Sequence, residues 1–198
     1  QTTSWSTCPW LWEIEYRQGW KHRNIDKKQI AALLGTAFGV GMAVYNKSRM
    51  GLTPSKTTPE QSAVNAFRHG LGALATAGFN LEALADKGDL EETLRVSVTA
   101  TIVQDPTPPD WKVIHVEHAR PDWGWARADV VYELPDLSRT VRDYKFKLAL
   151  EKRWLDNEFE RYRQHPQVPQ YLLMEDATCF ITTIVRATPF KIFTDPVY

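Results

Sequence analysis

Cysteine is scarce in this chain. Cys8 and Cys179 are the two in 198 residues, too few for a disulfide scaffold and too far apart for a short metal-binding pair. That usage suits a reducing compartment, and the cytoplasm is the expected location. An excess of one charge is also missing. The 24 basic and 24 acidic residues cancel, so any nucleic-acid binding has to come from local clusters rather than from the overall field. No apolar run approaches the roughly 20 residues of a membrane-spanning helix. The first residues lack a secretory-signal pattern, so no membrane partner is expected. The chain opens on Gln1 rather than methionine, which leaves a longer natural chain open. Internal repeats and low-complexity tracts are absent as well.

What is present is enough apolar material for one domain. A hydrophobic content of 43% over this length supports a real core. Residues 1–198 therefore read as a single domain. Residues 1–110 are mainly helical, and residues 111–198 carry a sheet with further helices.

The most informative stretch is 128–146, ADVVYELPDLSRTVRDYKF. Two runs rich in β-branched and aromatic residues flank a turn-like Leu134-Pro135-Asp136-Leu137-Ser138, which predicts a β-hairpin. If the strands pair symmetrically about Asp136, Asp129 stands opposite Asp143. Facing residues have Cβ atoms roughly 4.5–5.5 Å apart. Strand alternation puts Lys145 on the face of Asp143. Val130, Tyr132, Tyr144 and Phe146 fall on the other face and read as core. Two facing carboxylates repel unless a cation lies between them. A divalent metal ion with substrate phosphate would answer that need, and a lysine beside it suits phosphodiester hydrolysis. The plainer alternative is a solvated hairpin in which Lys145 neutralises Asp143.

Asp129, thirteen intervening residues and then Asp143-Tyr144-Lys145 resemble the signature of the PD-(D/E)XK nuclease superfamily. Within it the chain is most similar to the RecB-type exonuclease domains, including phage-type members. SWSTCPWLWEIEYRQGW (4–20) resembles the opening Ser-x-x-x-Cys-Pro helix of that group. LLGTAFGVGMAVYN (33–46) resembles its Leu-Gly-Thr-x-x-His helix, and HPQVPQYLLM (165–174) its Gln-x-x-x-Tyr helix. The order and spacing of these pieces carry the resemblance, which spans nearly the whole chain.

The resemblance implies a restriction-endonuclease-like α/β fold, a central mixed sheet flanked by helices. It implies a metal-dependent deoxyribonuclease acting as an exonuclease or end-processing enzyme. Asp129, Asp143 and Lys145 would be catalytic. Asp129, Asp143, the Tyr144 carbonyl and Glu117 would hold Mg²⁺ or Mn²⁺. Gln167 and Tyr171 would meet the substrate, with Gln170 as the alternative to Gln167 if the helix begins at Pro169. Trp125 and Arg127, on the face of Asp129 by strand alternation, would lie near it. Some relatives ligate an iron–sulfur cluster through the cysteine matching Cys8 and three later ones. Only Cys179 lies late in this chain, so no cluster is expected. Gly39 stands where the family carries a histidine, which in many members is a metal ligand. That departure opens a second reading, a DNA-binding module or partner-dependent subunit with weakened chemistry. A helicase or recombination protein is the expected kind of partner.

The remaining expectations come from local patterns. Residues 17–28 hold Arg17, Lys21, Arg23, Lys27 and Lys28 with interleaved Trp20 and His22. Such a mixture suits single-stranded DNA, and equally a solvated linker. Helices are predicted at 4–20, 29–48, from Thr58 to near Gly78, after Asp89, and at 148–165. The last would bury Leu150, Trp154, Leu155, Phe159 and Tyr162. A strand at 111–118 would place Val113, His115 and Glu117 on one face. His69, His115 and His118 read as structural rather than as ligands. Two closing strands follow Thr178.

Overall fold

The computed structural model describes residues 27–51, 56–79, 81, 84, 89–105, 107–119, 127–149 and 154–197. The expectations at 4–20 and the basic group Arg17, Lys21 and Arg23 lie outside the described residues, as do Cys8 and Trp125.

Three helices come first. Helix α1 (Lys27–Arg49) buries one side through Ile30, Leu34, Phe38 and Met42, the 3–4 spacing of an amphipathic helix. By length and composition α1 passes for a membrane span, but this apolar side faces the protein core. Helix α2 (Pro59–Thr76) starts with a complete capping box. The Thr58 hydroxyl accepts from the Gln61 amide, the Gln61 side chain accepts from the Thr58 amide, and Pro59 fills the first turn. Asp89 caps α3 (Leu90–Val103) through the Glu92 amide at 2.9 Å. In α3, Leu94 and Val98 are fully buried, so the helical period of 90–103 prevails over its β-branched content.

Strands β1 (Lys112–Ala119), β2 (Arg127–Glu133) and β3 (Arg139–Lys147) form an antiparallel meander. Helices α4 (Leu155–Arg163) and α5 (Gln167–Glu175) then carry the chain back over the sheet. Strand β4 (Cys179–Arg186) pairs parallel to β3, and β5 (Lys191–Val197) closes the sheet antiparallel to β4. A parallel partner needs such a crossover. The result is a mixed α/β fold with one five-stranded sheet in the order β1-β2-β3-β4-β5. Helix α1 covers one face and α5 the other.

The hairpin register is the symmetric one. Val130 pairs with Arg142, Val131 with Val141, Tyr132 with Thr140 and Glu133 with Arg139, all centred on Asp136. The turn is closed by Leu134 N–H donating to Ser138 O at 2.9 Å, and Asp136 accepts from the Ser138 amide and hydroxyl. Alternation sends Tyr144 and Phe146 to the α1 face, where their ring centroids lie 6.4 and 5.0 Å from Phe38. Val131 and Val141 pack on the opposite face against Val168 and Tyr171 of α5.

Three local expectations are corrected. Val113 and His115 do not share a face. A bulge between them shifts the β1–β2 register, so Val113 joins Val130 and Tyr132 while His115 turns toward α5. The helix predicted at 148–165 is shorter, Leu155–Arg163, with residues 150–153 outside the described set. Trp154, assigned to its buried side, is 49% exposed, because it precedes the helix rather than facing the sheet.

Candidate active site

The β2–β3 ladder stops at Val130 and Arg142, and the site is built where it stops. One step further along, Asp129 Oδ2 accepts the Tyr144 N–H at 2.9 Å. The carboxylate thus takes the place of a main-chain acceptor. Asp143 is 5% exposed, and its Oδ2 lies 2.6 Å from Lys145 Nζ. The expected triad is therefore brought together at a strand opening. Here the backbone no longer pairs across, and side chains can face a cavity.

That cavity is a cleft of about 410 Å³ at the open strand ends, bordered by α1 and by Tyr162 of α4. Asp129, Asp143, Tyr144, Lys145, Glu117 and Arg127 all line it. So do Gly35, Thr36 and Gly39 of α1, the segment singled out as the Gly-Thr-x-x-His counterpart. Its glycines have separate uses. A Cβ on Gly41 would meet Pro59 O at 2.9 Å and Ala63 Cβ at 3.1 Å, so Gly41 lets α2 approach. A Cβ on Gly35 or Gly39 would meet nothing within 4 Å, because both open onto the cleft.

Electrostatics in the cleft are unbalanced. Burial and then Asp143 push the Asp129 carboxyl up to about 7, against the pull of the Tyr144 amide and Lys145. Glu117 adds a smaller push in the same direction. Asp143 is raised by burial, opposed first by Lys145 and less by His165. Burial pulls Lys145 down, but Asp143 and Asp129 more than offset it, and the ammonium is held above its ordinary value. Two carboxylates thus share one ammonium in a poorly hydrated recess. Such a donor set of buried oxygens fits a hard divalent cation.

The flanking residues divide. Glu117 takes a left-handed backbone, φ +53°, and its Oε2 lies 2.7 Å from Arg127 Nε at the cleft mouth. Tyr171 is buried, is hydrogen-bonded by the Arg127 backbone, and is raised by burial and by Asp143 and Asp129. Arg127 lines the cleft, whereas Tyr171, expected to meet the substrate, is packed in the core beneath it with Val168 and Phe180 and does not. Gln167 begins α5 with its side chain exposed and does not line the cleft. Arg161 and Arg163 are paired, with Glu158 at 3.0 Å and Asp195 at 2.6 Å, as a solvated helix face would have them. His69 is exposed on α2.

No family model, curated protein or solved structure matches the chain. The site is accordingly read from its own residues. Three of them escaped the sequence. Lys147 and Tyr162 line the cleft, with the Tyr162 ring 5.5 Å from Lys145 Nζ and 5.9 Å from Lys147 Nζ. His165 lies near enough to Asp143 to bias its charge. Lys147 continues the alternation of Asp143 and Lys145, a legible signal. Tyr162 and His165 arrive from the crossover, whose path strand patterns do not give.

Proposed function

We propose that the chain is a metal-dependent deoxyribonuclease with a restriction-endonuclease-like core, acting as an exonuclease or end-processing enzyme. The observation that carries this is the convergence of Asp129, Asp143 and Lys145 at the open end of the β2–β3 ladder. The arrangement fits the PD-(D/E)XK pattern in residue type, order and strand position.

Asp129 and Asp143 would hold Mg²⁺ or Mn²⁺, with the Tyr144 carbonyl and Glu117 as further oxygen donors. When bound, the ion supplies an acidified water and positive charge on the phosphate. Without an ion, Asp143 and Asp129 hold Lys145 as an ammonium; beside the bound ion it would serve as a donor to the attacking water and the phosphate. It orients water toward phosphorus and stabilises charge growing on the non-bridging oxygens. Asp129, whose carboxyl is held up to about 7 by burial and by Asp143 in the absence of an ion, would give up its proton to a cation bound there. Arg127 at the mouth offers a fork for a phosphate oxygen once it leaves Glu117. Tyr171 holds the Arg127 backbone in position.

Gly39 favours a second reading, a DNA-binding relative with little turnover, because the helix offers no ligand at that point of the cleft. End-labelled single- and double-stranded DNA, incubated with Mg²⁺, Mn²⁺ or EDTA, separates the two. Cleavage that needs the metal and is lost in Lys145→Ala supports the nuclease, and the product ladder distinguishes end-processing from internal cuts. DNA binding without cleavage by the wild type under either metal supports the second reading.

A further inference from the structure

A second cluster, His115, His118 and Glu175, lies outside the lining of the cleft. Glu175, in the last turn of α5, is 1% exposed. Its Oε2 lies 3.0 Å from His115 Nδ1 and its Oε1 2.6 Å from His118 Nδ1. The imidazole centroids are 4.1 Å apart and tilted by 34°. Regular alternation would put positions 115 and 118 on opposite faces of a strand. The positive φ of Glu117, which lies between them, turns the backbone and brings them to one face.

The geometry points to a site for a divalent first-row transition ion, Zn²⁺ above all, held by His115, His118 and Glu175. One potential ligand atom from each residue lies within 4.8 Å of the others. Tetrahedral zinc, with bonds of about 2.0–2.2 Å, sets its ligands roughly 3.4 Å apart. Small rotations therefore suffice to place the ion where hydrogen bonds now run. A buried carboxylate needs a positive partner. Two imidazolium ions this close would repel each other, whereas one dication satisfies all three groups. Two nitrogen donors with one carboxylate favour zinc and its neighbours over Mg²⁺ or Ca²⁺. The histidine side chains are 37% and 33% exposed, which gives an entry path and room for a water as fourth ligand.

The ion would tie the end of α5 to the edge strand. Arg139 already holds that end, donating from Nη1 to the Glu175 carbonyl at 3.0 Å. Glu117 lies between the two histidines on β1 but lines the cleft with Asp129. Zinc would thus fix the kinked backbone that presents Glu117, while remaining chemically separate from the oxygen-lined cleft.

The test uses the full chain, without a polyhistidine tag, carrying Asp129→Asn and Asp143→Asn to silence the cleft. Titration with Zn²⁺ by calorimetry should show one ion per chain, undisplaced by excess Mg²⁺. His118→Ala should weaken uptake by more than the roughly 10–100-fold that loss of an outer-shell partner costs. His69→Ala should leave it unchanged. Zinc at a hundredfold over its Kd should raise the Tm by about 5–10 °C, and His118→Ala should abolish that rise. His118 is partly exposed, so this variant is expected to fold, and its far-UV circular dichroism checks that. Co²⁺ should give a visible ligand-field band that His118→Ala removes. Absence of uptake, uptake indifferent to His118→Ala, or displacement by Mg²⁺ overturns the site, and the trio is then a proton-sharing bridge. Because the cleft is silenced, none of these outcomes bears on cleavage, and loss of the nuclease reading leaves this site standing.

Discussion

Arg142 and Asp143 are neighbours on β3, both nearly sealed from water, and they point to opposite faces of the sheet. On the α1 face Arg142 lies 3.2 Å from Asp105 Oδ1 and also donates to the Thr107 hydroxyl. Asp105 Oδ2 in turn meets Arg49 at 3.2 Å and the Tyr45 hydroxyl at 3.2 Å. Both guanidinium groups lie over the Tyr132 ring. On the other face Asp143 shares a single ammonium with Asp129. The first cluster is unequal too, two guanidinium groups to one carboxylate, but Arg49 reaches solvent and both cations lie over the Tyr132 ring. The second leaves negative charge in excess beside a cavity. An unbalanced buried charge marks a candidate site where it borders an open cleft, as Asp129 and Asp143 do and Arg142 does not.

The sharpest way to break this comparison is to remove one group from each cluster. Asp143→Ala should lower metal-dependent cleavage by about a thousandfold or more, as loss of a group acting in the transition state does. The same change should leave thermal stability unchanged or slightly raised, because it relieves carboxylate crowding. Asp105→Ala should do the reverse. It leaves Arg142 and Arg49 without their shared anion and should cost about 3–5 kcal/mol in urea unfolding. Cleavage per folded molecule should stay within a few-fold. Equal stability losses in the two variants would erase the distinction.

The fold was largely legible because its signals are local. Thr58, Pro59 and Gln61 spell a capping box, and the hairpin register follows from the symmetry of 128–146 about Asp136. The core of the site was legible for the same reason, since Asp129, Asp143 and Lys145 belong to one hairpin. What strand β1 does was not legible. Its bulge and the positive φ of Glu117 are set by packing on both faces, and they reverse the neighbours that simple alternation assigns to His115. Tyr162 and His165 reach the cleft from the crossover, where the sequence shows only amphipathic helix. Glu175 carries no motif; its significance comes from its burial beside two imidazoles.

A second contrast concerns pH. Asp129 has a folded value raised from 3.8 to about 7. For a raised acid the folded state holds the proton more tightly than the unfolded state. Its favourable contribution is therefore complete below about pH 4 and is lost as pH rises through about 7. The metal-free protein should gain about 1–2 kcal/mol at pH 8 from Asp129→Asn, and much less at pH 4, by urea titration at both values. An equal gain at both pH values would show that Asp129 is not held protonated.

The same proton should appear when the cation binds. Mg²⁺ uptake at pH 7 should release a substantial fraction of one proton per chain. Calorimetry in buffers of different ionisation enthalpy reads that number directly. Affinity should rise from pH 6 to pH 8 by about tenfold and flatten above, since the competing proton is then gone. In Asp129→Asn the release should fall away. A pH-independent affinity would mean that the cation is held without displacing the Asp129 proton.

The smallest expected effect comes from adding a group to the cleft. Gly39 lines it, and a Cβ there meets nothing within 4 Å. Helix α1 should tolerate a side chain at that point, with some gain in helix propensity over glycine. Gly39→His places an imidazole on the face that already presents Thr36 and Gly35 to the carboxylates. Mn²⁺, which accepts nitrogen more readily than Mg²⁺ does, should bind up to about tenfold tighter, while Mg²⁺ affinity stays nearly unchanged. Calorimetry with each ion on both proteins measures the difference. If Mn²⁺ affinity does not move while the fold is intact, the imidazole does not reach the carboxylates. The cleft is then complete with oxygen donors alone, and Gly39 serves to keep room for the substrate.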